Sequence, residues 1–141
     1  MIEAIKEYCR STAQPVPETV GQTVRCIFES LALRYRQVVG MLQEFAPAPL
    51  EVMYVIGGGA RNMMLNQYTA NATGLKVETG SSEATALGNV MMQAKWVGVV
   101  DSIDKMRSLI AESLPERLIF TPQDKTLWDE AYAKYLTIYK E

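Results

Sequence analysis

The stretch VMYVIGGGARNMMLNQ, residues 52–67, constrains this chain more than any other. Five apolar residues, partly β-branched, run directly into three glycines. Such a continuous apolar run predicts a strand covered on both faces, over residues 52–56. Residues 62–73 then carry a helical pattern that closes on Gly74, the usual residue just past a helix end. Three consecutive glycines between the two are costly, because each adds backbone freedom that folding must remove. Two explanations stand. One is a tight turn; the other is backbone left bare so that a ligand can approach it. In the second, free N–H groups and the positive end of the following helix favour a phosphate or nucleotide. Ligands of open α/β sheets also sit outside the carboxyl ends of the strands. The loop is neither G-x-x-x-x-G-K-[ST] nor G-x-G-x-x-G, since Asn62 stands where a third glycine of the latter belongs. The local pattern leaves both explanations open.

Around this unit the chain reads as mostly helical. Ile2, Ile5, Tyr8 and Cys9 have helical spacing, and the QPVP at residues 14–17 interrupts it. Thr19 and Gln22 have the spacing of a capping box. From there Val20, Val24, Ile27, Leu31, Tyr35, Val38, Leu42 and Phe45 step by three or four, predicting a core-facing stripe. The helix would run for about 27 residues, or roughly 40 Å, until APAPLE stops it. LKVET, residues 75–79, is a second candidate strand. Ser81 or Ser82 is expected to cap a helix with Glu83 in its first turn, and Ala84, Ala86 and Gly88 permit close packing. A further helix starts at Asp101 or Ser102 and runs through Leu114, with Pro115 as its stop. The last, residues 124–139, places Trp128, Tyr132, Tyr135 and Tyr139 along one side. Met63, Met64, Met91 and Met92 are expected as adaptable core filler.

Two strands joined by a helix predict a right-handed parallel βαβ unit. Parallel strands need neighbours and cover on both faces, and two do not make an independent sheet. The expectation is therefore α/β, helix-rich with a short parallel sheet: a single partial domain over residues 1–141, the C-terminal part of something larger. Exposed along one edge, the first strand would invite self-association. The chain has no histidine, which removes His-based acid–base catalysis and His–metal sites. Its two cysteines, Cys9 and Cys26, form neither a disulfide framework nor a zinc pattern. A net charge of -2 without basic clusters argues against nucleic acid. No apolar run approaches the roughly 20 residues of a membrane span, and MIEAIKEYCR lacks an apolar signal segment. A cytoplasmic protein is expected.

Longer segments carry a resemblance. IGGGARNMMLNQYTANATGLKVETGSSEATALGNVMMQA resembles the C-terminal domain of the FGGY family of carbohydrate kinases, in the glycine loop with its LNQ-x-x-A-x-x-x-G helix and in the E-A-T-A-L-G-N helix start. CRSTAQPVPETVGQTVRCIFESLALRYRQV and FTPQD are similar to the corresponding stretches of the family's rhamnulokinase branch. The resemblance implies an actin-like, ribonuclease-H-like ATPase domain, the second of two that close on sugar and ATP. It implies that Gly58 and Gly59 approach the ribose and α-phosphate region of ATP or ADP. Ala60 would continue that bare surface, and Asn62 would contact adenine. Arg61 is left without a role. Asn66 and Gln67 would tie the helix to the sheet, and Glu83 would serve the helix start and not act as a base. The family's catalytic aspartate, sugar-binding residues and D-x-G-T phosphate loop find no counterpart here. So the resemblance implies no catalytic residue and no metal ligand in this chain, with ATP and magnesium handled jointly with a missing N-terminal part that binds L-rhamnulose. The piece alone would be inactive. A fuculokinase, a xylulokinase or a non-enzymatic α/β binding module are the alternatives.

Overall fold

The computed structural model describes residues 1–113 and 117–139. The expected helix end at Leu114 and Pro115 lies outside the described residues. Helix α1 (Ile2–Ser11) is followed by the two prolines and then by α2 (Val20–Gln43). The capping box is made in full: Gln22 N donates to Thr19 Oγ1 at 3.2 Å, and Thr19 N donates to Gln22 Oε1 at 3.0 Å. Strand β1 (Val52–Val55) leads through a single 3₁₀ segment (Gly57–Arg61) into α3 (Met63–Thr73). Gly74 closes α3 in the left-handed region at φ 73°, its N–H donating to Ala70 O. Then come β2 (Lys76–Thr79), α4 (Ala84–Trp96), α5 (Ile103–Ser113), β3 (Ile119–Phe120) and α6 (Lys125–Ile138). Ser102 caps α5, its Oγ accepting from Lys105 N at 3.2 Å.

The sheet order is β1-β2-β3. β1 and β2 run parallel, with Val52 opposite Lys76 and Val55 opposite Thr79, as the βαβ reading expects. β3 was not anticipated. It pairs antiparallel with β2, Val77 opposite Phe120, so the short sheet is mixed and not purely parallel. Two residues carry no periodicity, and this strand is held from outside: Thr79 N donates to Leu118 O at 2.9 Å, and Leu118 N donates to Thr79 Oγ1 at 3.0 Å.

Helix α3 is buried on two faces. Its Ala72 joins Ala32 and Leu33 of α2 and Trp128 of α6 in one apolar cluster, with Tyr68, Tyr132 and Tyr135 packed around it. Its Ala70 joins Val77 and Phe120 of the sheet, with Met53 and Val55 alongside. The terminal aromatic side is thus packing. Arg36 pairs with Asp129 at 2.8 Å and lies 4.3 Å from the centre of the Tyr132 ring, Arg34 lies 4.9 Å from that of Tyr139, and the Tyr135 hydroxyl donates to Gln37 Oε1 at 3.1 Å. Cys9 is buried and Cys26 half-buried, both free thiols. Burial, then the neighbouring Cys9 thiol, pushes the Cys26 thiol up, so it stays protonated at neutral pH.

Two expectations about the core are overturned. Most of the α2 stripe does not face it: Val20 is 78% exposed, Phe45 past the helix end is 86% exposed, Val24, Leu31, Tyr35, Val38 and Leu42 are also exposed, and only Ile27 is half-buried. α2 turns Thr23, Ala32 and Leu33 inward instead. Met63, Met64 and Met92 are likewise more than half exposed and fill no core. Periodicity reports that a helix has an apolar face, but not that a neighbour is there to cover it. Among the described residues no helix is long and apolar enough to cross a membrane.

Two outcomes follow from the α2–α6 clasp. Trp128→Ala removes the largest apolar group of the helical cluster and should cost about 3–5 kcal/mol in urea unfolding. Asp129 is held below the usual carboxylate range by hydrogen bonds from Lys125 and then Arg36. A depressed folded pKa means that its contribution is present above the ordinary aspartate value and disappears as pH falls through the folded value. Stability measured from neutral to acid pH should therefore fall less steeply in Asp129→Asn than in the parent chain.

Candidate functional site

Two loops meet at the carboxyl ends of the parallel pair. The first is the glycine segment after β1, the second residues 80–83 after β2. They are stitched together by backbone: Gly80 N donates to Val55 O at 2.8 Å, and Gly57 N donates to Ser81 O at 2.9 Å. Their contact is tight enough that a Cβ on Gly80 would lie 2.9 Å from Ile56 Cγ2.

Within the first loop the three glycines differ. Gly57 sits at φ 74°, where an L side chain is strained. Gly59 has an ordinary φ, and a Cβ there would meet Val55 Cγ1 at 3.6 Å, a normal contact. Gly58 also has an ordinary φ, and its Cβ would meet nothing within 4 Å. Gly58 and Gly59 are solvent-exposed, whereas Ala60 is buried at 6% exposure. Ala60 therefore belongs to the floor of the loop and not to its bare outer surface, which departs from the expectation for that residue.

Asn62 stands at the junction with α3 and is half-buried. Its Oδ1 accepts from Leu65 N at 3.0 Å and so caps the helix. That bond engages the oxygen and leaves the NH₂ as the donating half of the amide. Asn66 is buried at 2% exposure, and its Nδ2 donates to Ala60 O at 3.1 Å and Gly59 O at 3.4 Å, holding the glycine segment on the helix from below. Gln67 donates to Asn71 Oδ1 at 2.7 Å and to Thr121 O at 2.9 Å, and Asn71 Oδ1 in turn accepts from Gln123 N at 2.9 Å. Gln67 thus ties the helix to the chain just past β3, whereas Asn66 ties it to the glycine segment and not to a strand.

The second loop differs from its sequence reading. α4 begins at Ala84 with Glu83 in the capping position, and neither serine caps the helix. Ser81 Oγ accepts from Glu83 N at 3.0 Å, folding the loop locally and leaving the helix start uncapped by a side chain. Glu83 faces Arg61 instead. Arg61 Nη2 donates to Ser82 Oγ at 3.0 Å and lies 3.5 Å from Glu83 Oε1. Sequence reasoning left Arg61 without a role, because nothing in a one-dimensional pattern pairs residues 61 and 83. Among the described residues, no group of three Asp, Glu or Cys comes together to hold a metal ion. The structure thus brings Gly58, Gly59 and Asn62 onto one lip of the sheet, with Ala60 beneath.

Residues 2–96 match the FGGY family of carbohydrate kinases, C-terminal domain. The chain is 57% identical over 135 residues to the rhamnulokinase of Bacteroides thetaiotaomicron, covering 96% of this chain and 28% of the relative. It is 41% identical over 124 residues to the rhamnulokinase of Bacillus subtilis, covering 88% of this chain and 25% of the relative. In fold it is similar to a Plasmodium falciparum glycerol kinase solved with ADP, at TM-score 0.66 and 22% identity over 82% of this chain and 23% of that one. A xylulose kinase from Rhodospirillum rubrum gives the same score and identity over 89% of this chain and 25% of that one. These neighbours are sugar kinases of the actin-like fold, which the helix-rich architecture with its short sheet shares. The chain spans about a quarter of the length of the curated relatives it matches. It belongs to the FGGY family of carbohydrate kinases, through the C-terminal domain of that family.

Proposed function

We propose that this chain is the adenosine-binding, C-terminal part of an ATP-dependent sugar kinase that converts L-rhamnulose to L-rhamnulose 1-phosphate, residues 1–141 forming one partial domain. The observation that carries the reading is Gly58. The fold needs a glycine at 57 for its backbone angle, but among the described residues nothing requires one at 58. A bare position with open space above it suits a ligand that presses on the backbone from outside. Gly58 and Gly59 would lie against the ribose and α-phosphate region, and the Asn62 NH₂ would donate to the adenine edge while its oxygen stays on the helix cap. Asn66 keeps the segment from collapsing away from the ligand.

Bound ATP would supply the γ-phosphoryl group, and what this chain contributes is position and orientation of the nucleoside end. No residue here is assigned as a base or as a magnesium ligand; sugar, magnesium and proton transfer belong to the remaining length seen in the relatives. A cytoplasmic location accords with this reading. The sugar follows that of the rhamnulokinases the chain is similar to, and a ketose panel with the longer protein separates rhamnulose from fuculose and xylulose. The stitching of Gly57 and Gly80 favours a second reading, in which the glycines form only a tight turn in a non-enzymatic module.

A pair of substitutions decides between them. Gly58→Ala should leave the urea midpoint unchanged or slightly raised, yet weaken ADP binding at least tenfold, followed by amide shifts of residues 58, 59 and 62. Gly57→Ala should cost about 1–2 kcal/mol of stability. Equal ADP affinity in parent and Gly58→Ala, or no ADP response in the parent, rejects the nucleotide reading. The chain alone should release no ADP from ATP with any ketose.

Self-association is part of the same proposal. β1 ends the sheet, Tyr54 and Ile56 are each 62% exposed, and the α2 stripe is uncovered. Light scattering should give a mass that rises with concentration; a monomer stable to dilution contradicts it.

A further inference from the structure

The loop after β1 and the loop after β2 are joined at three levels. Two are backbone bonds close to the strands, Gly80 N to Val55 O and Gly57 N to Ser81 O. The third lies farther along both loops and uses side chains, Arg61 to Ser82 and Glu83. One nitrogen, Nη2, serves both acceptors, and an NH₂ group of guanidinium carries a hydrogen for each. Arg61 and Glu83 are 71% and 70% exposed, so the pair adds little to folding. The tie joins the outer parts of the two loops, beyond the backbone bonds that hold their bases. It also adjoins the site: Arg61 immediately precedes Asn62 and ends the segment that begins with Gly57.

We infer that Arg61 is a positioning residue for the nucleotide site, strapping the outer ends of the two loops through Ser82 and Glu83 so that Gly58, Gly59 and the Asn62 amide keep their relative placement. This rests on the nucleotide reading above. The backbone bonds fix the base of the two loops; the strap fixes their rims. Glu83, read from sequence as serving the helix start, is the strap's anchor. Because the partners are exposed and charged, the effect is moderate and salt-sensitive.

The test is ADP and adenosine titration of the 141-residue chain, followed by amide shifts, for the parent, Arg61→Ala, Glu83→Gln, the double variant and the charge exchange Arg61→Glu with Glu83→Arg. The expected result has four parts. Each single variant weakens ADP and adenosine alike by up to about fivefold, the range an exposed pair can supply. The double variant is no worse than either single one, the exchange restores affinity, and raising salt in the parent reproduces the loss. Urea midpoints stay unchanged throughout. If Arg61→Ala loses ADP but spares adenosine while Glu83→Gln tightens ADP, Arg61 contacts phosphate directly and the strap is overturned. Independent, additive losses, or unchanged affinity in every variant, overturn it while leaving the nucleotide reading intact. A parent chain that binds neither ligand removes the nucleotide reading and the strap together.

Discussion

Helix α3 carries the structure because it is the element that touches both halves of it. One face packs on α2 and α6 through Ala72, the other on the sheet through Ala70. Small residues make this possible. Thr69, Ala70, Asn71 and Ala72 are all buried, and two alanines let both layers approach the helix closely. The remaining buried positions are polar and each has its partners: Thr69 donates to Leu65 O at 2.7 Å, and Asn71 accepts from Gln67 and from Gln123 N. No buried side-chain nitrogen or oxygen among the described residues is left without a partner. Since the glycine segment hangs on this helix through Asn66 and ends in its Asn62 cap, the lip of the site inherits its placement from the most constrained element present.

The same arrangement explains which parts of the fold were legible in the residues. Capping chemistry is local, so Thr19 with Gln22, Ser102, and Gly74 all do what their spacing predicts. The strand–glycine–helix order is local too, and β1, α3 and β2 stand within a residue or so of where the pattern puts them. Cover is not local. The α2 stripe has a helix's periodicity and is largely exposed all the same, since the face that meets α3 holds Ala32 and Leu33. β3 escaped for a related reason: Ile119 and Phe120 become a strand through bonds from Thr79 and Leu118, some forty residues apart in sequence. What sequence cannot show is whether the partner of an apolar face lies within the same stretch of chain.

At the site the division is similar. The glycines and Asn62 were visible because they form one contiguous string at a strand end. The pairing of Arg61 with Ser82 and Glu83 was not, because it joins two loops that only the parallel register of β1 and β2 brings together. Ser81 and Ser82 look like caps in sequence, yet one folds its own loop and the other receives an arginine from the neighbouring loop. A serine near a helix start can satisfy several donors, and the one it takes depends on what the neighbouring loop offers.

The three glycines separate by what the fold asks of each. Gly57 is set by a positive φ and by the bond its N–H makes to Ser81, both internal to the turn. A Cβ at Gly59 would make only a normal contact with Val55, and the residue's carbonyl is held by Asn66, so its backbone serves the join between strand and helix. Gly58 has neither constraint, with no positive φ and no neighbour for a Cβ to meet. A turn needs its glycine where the backbone angle demands it, and a close-packed join needs one where atoms crowd. Bareness at Gly58 that answers to neither is the observation on which the proposed nucleoside contact beside the Asn62 amide rests.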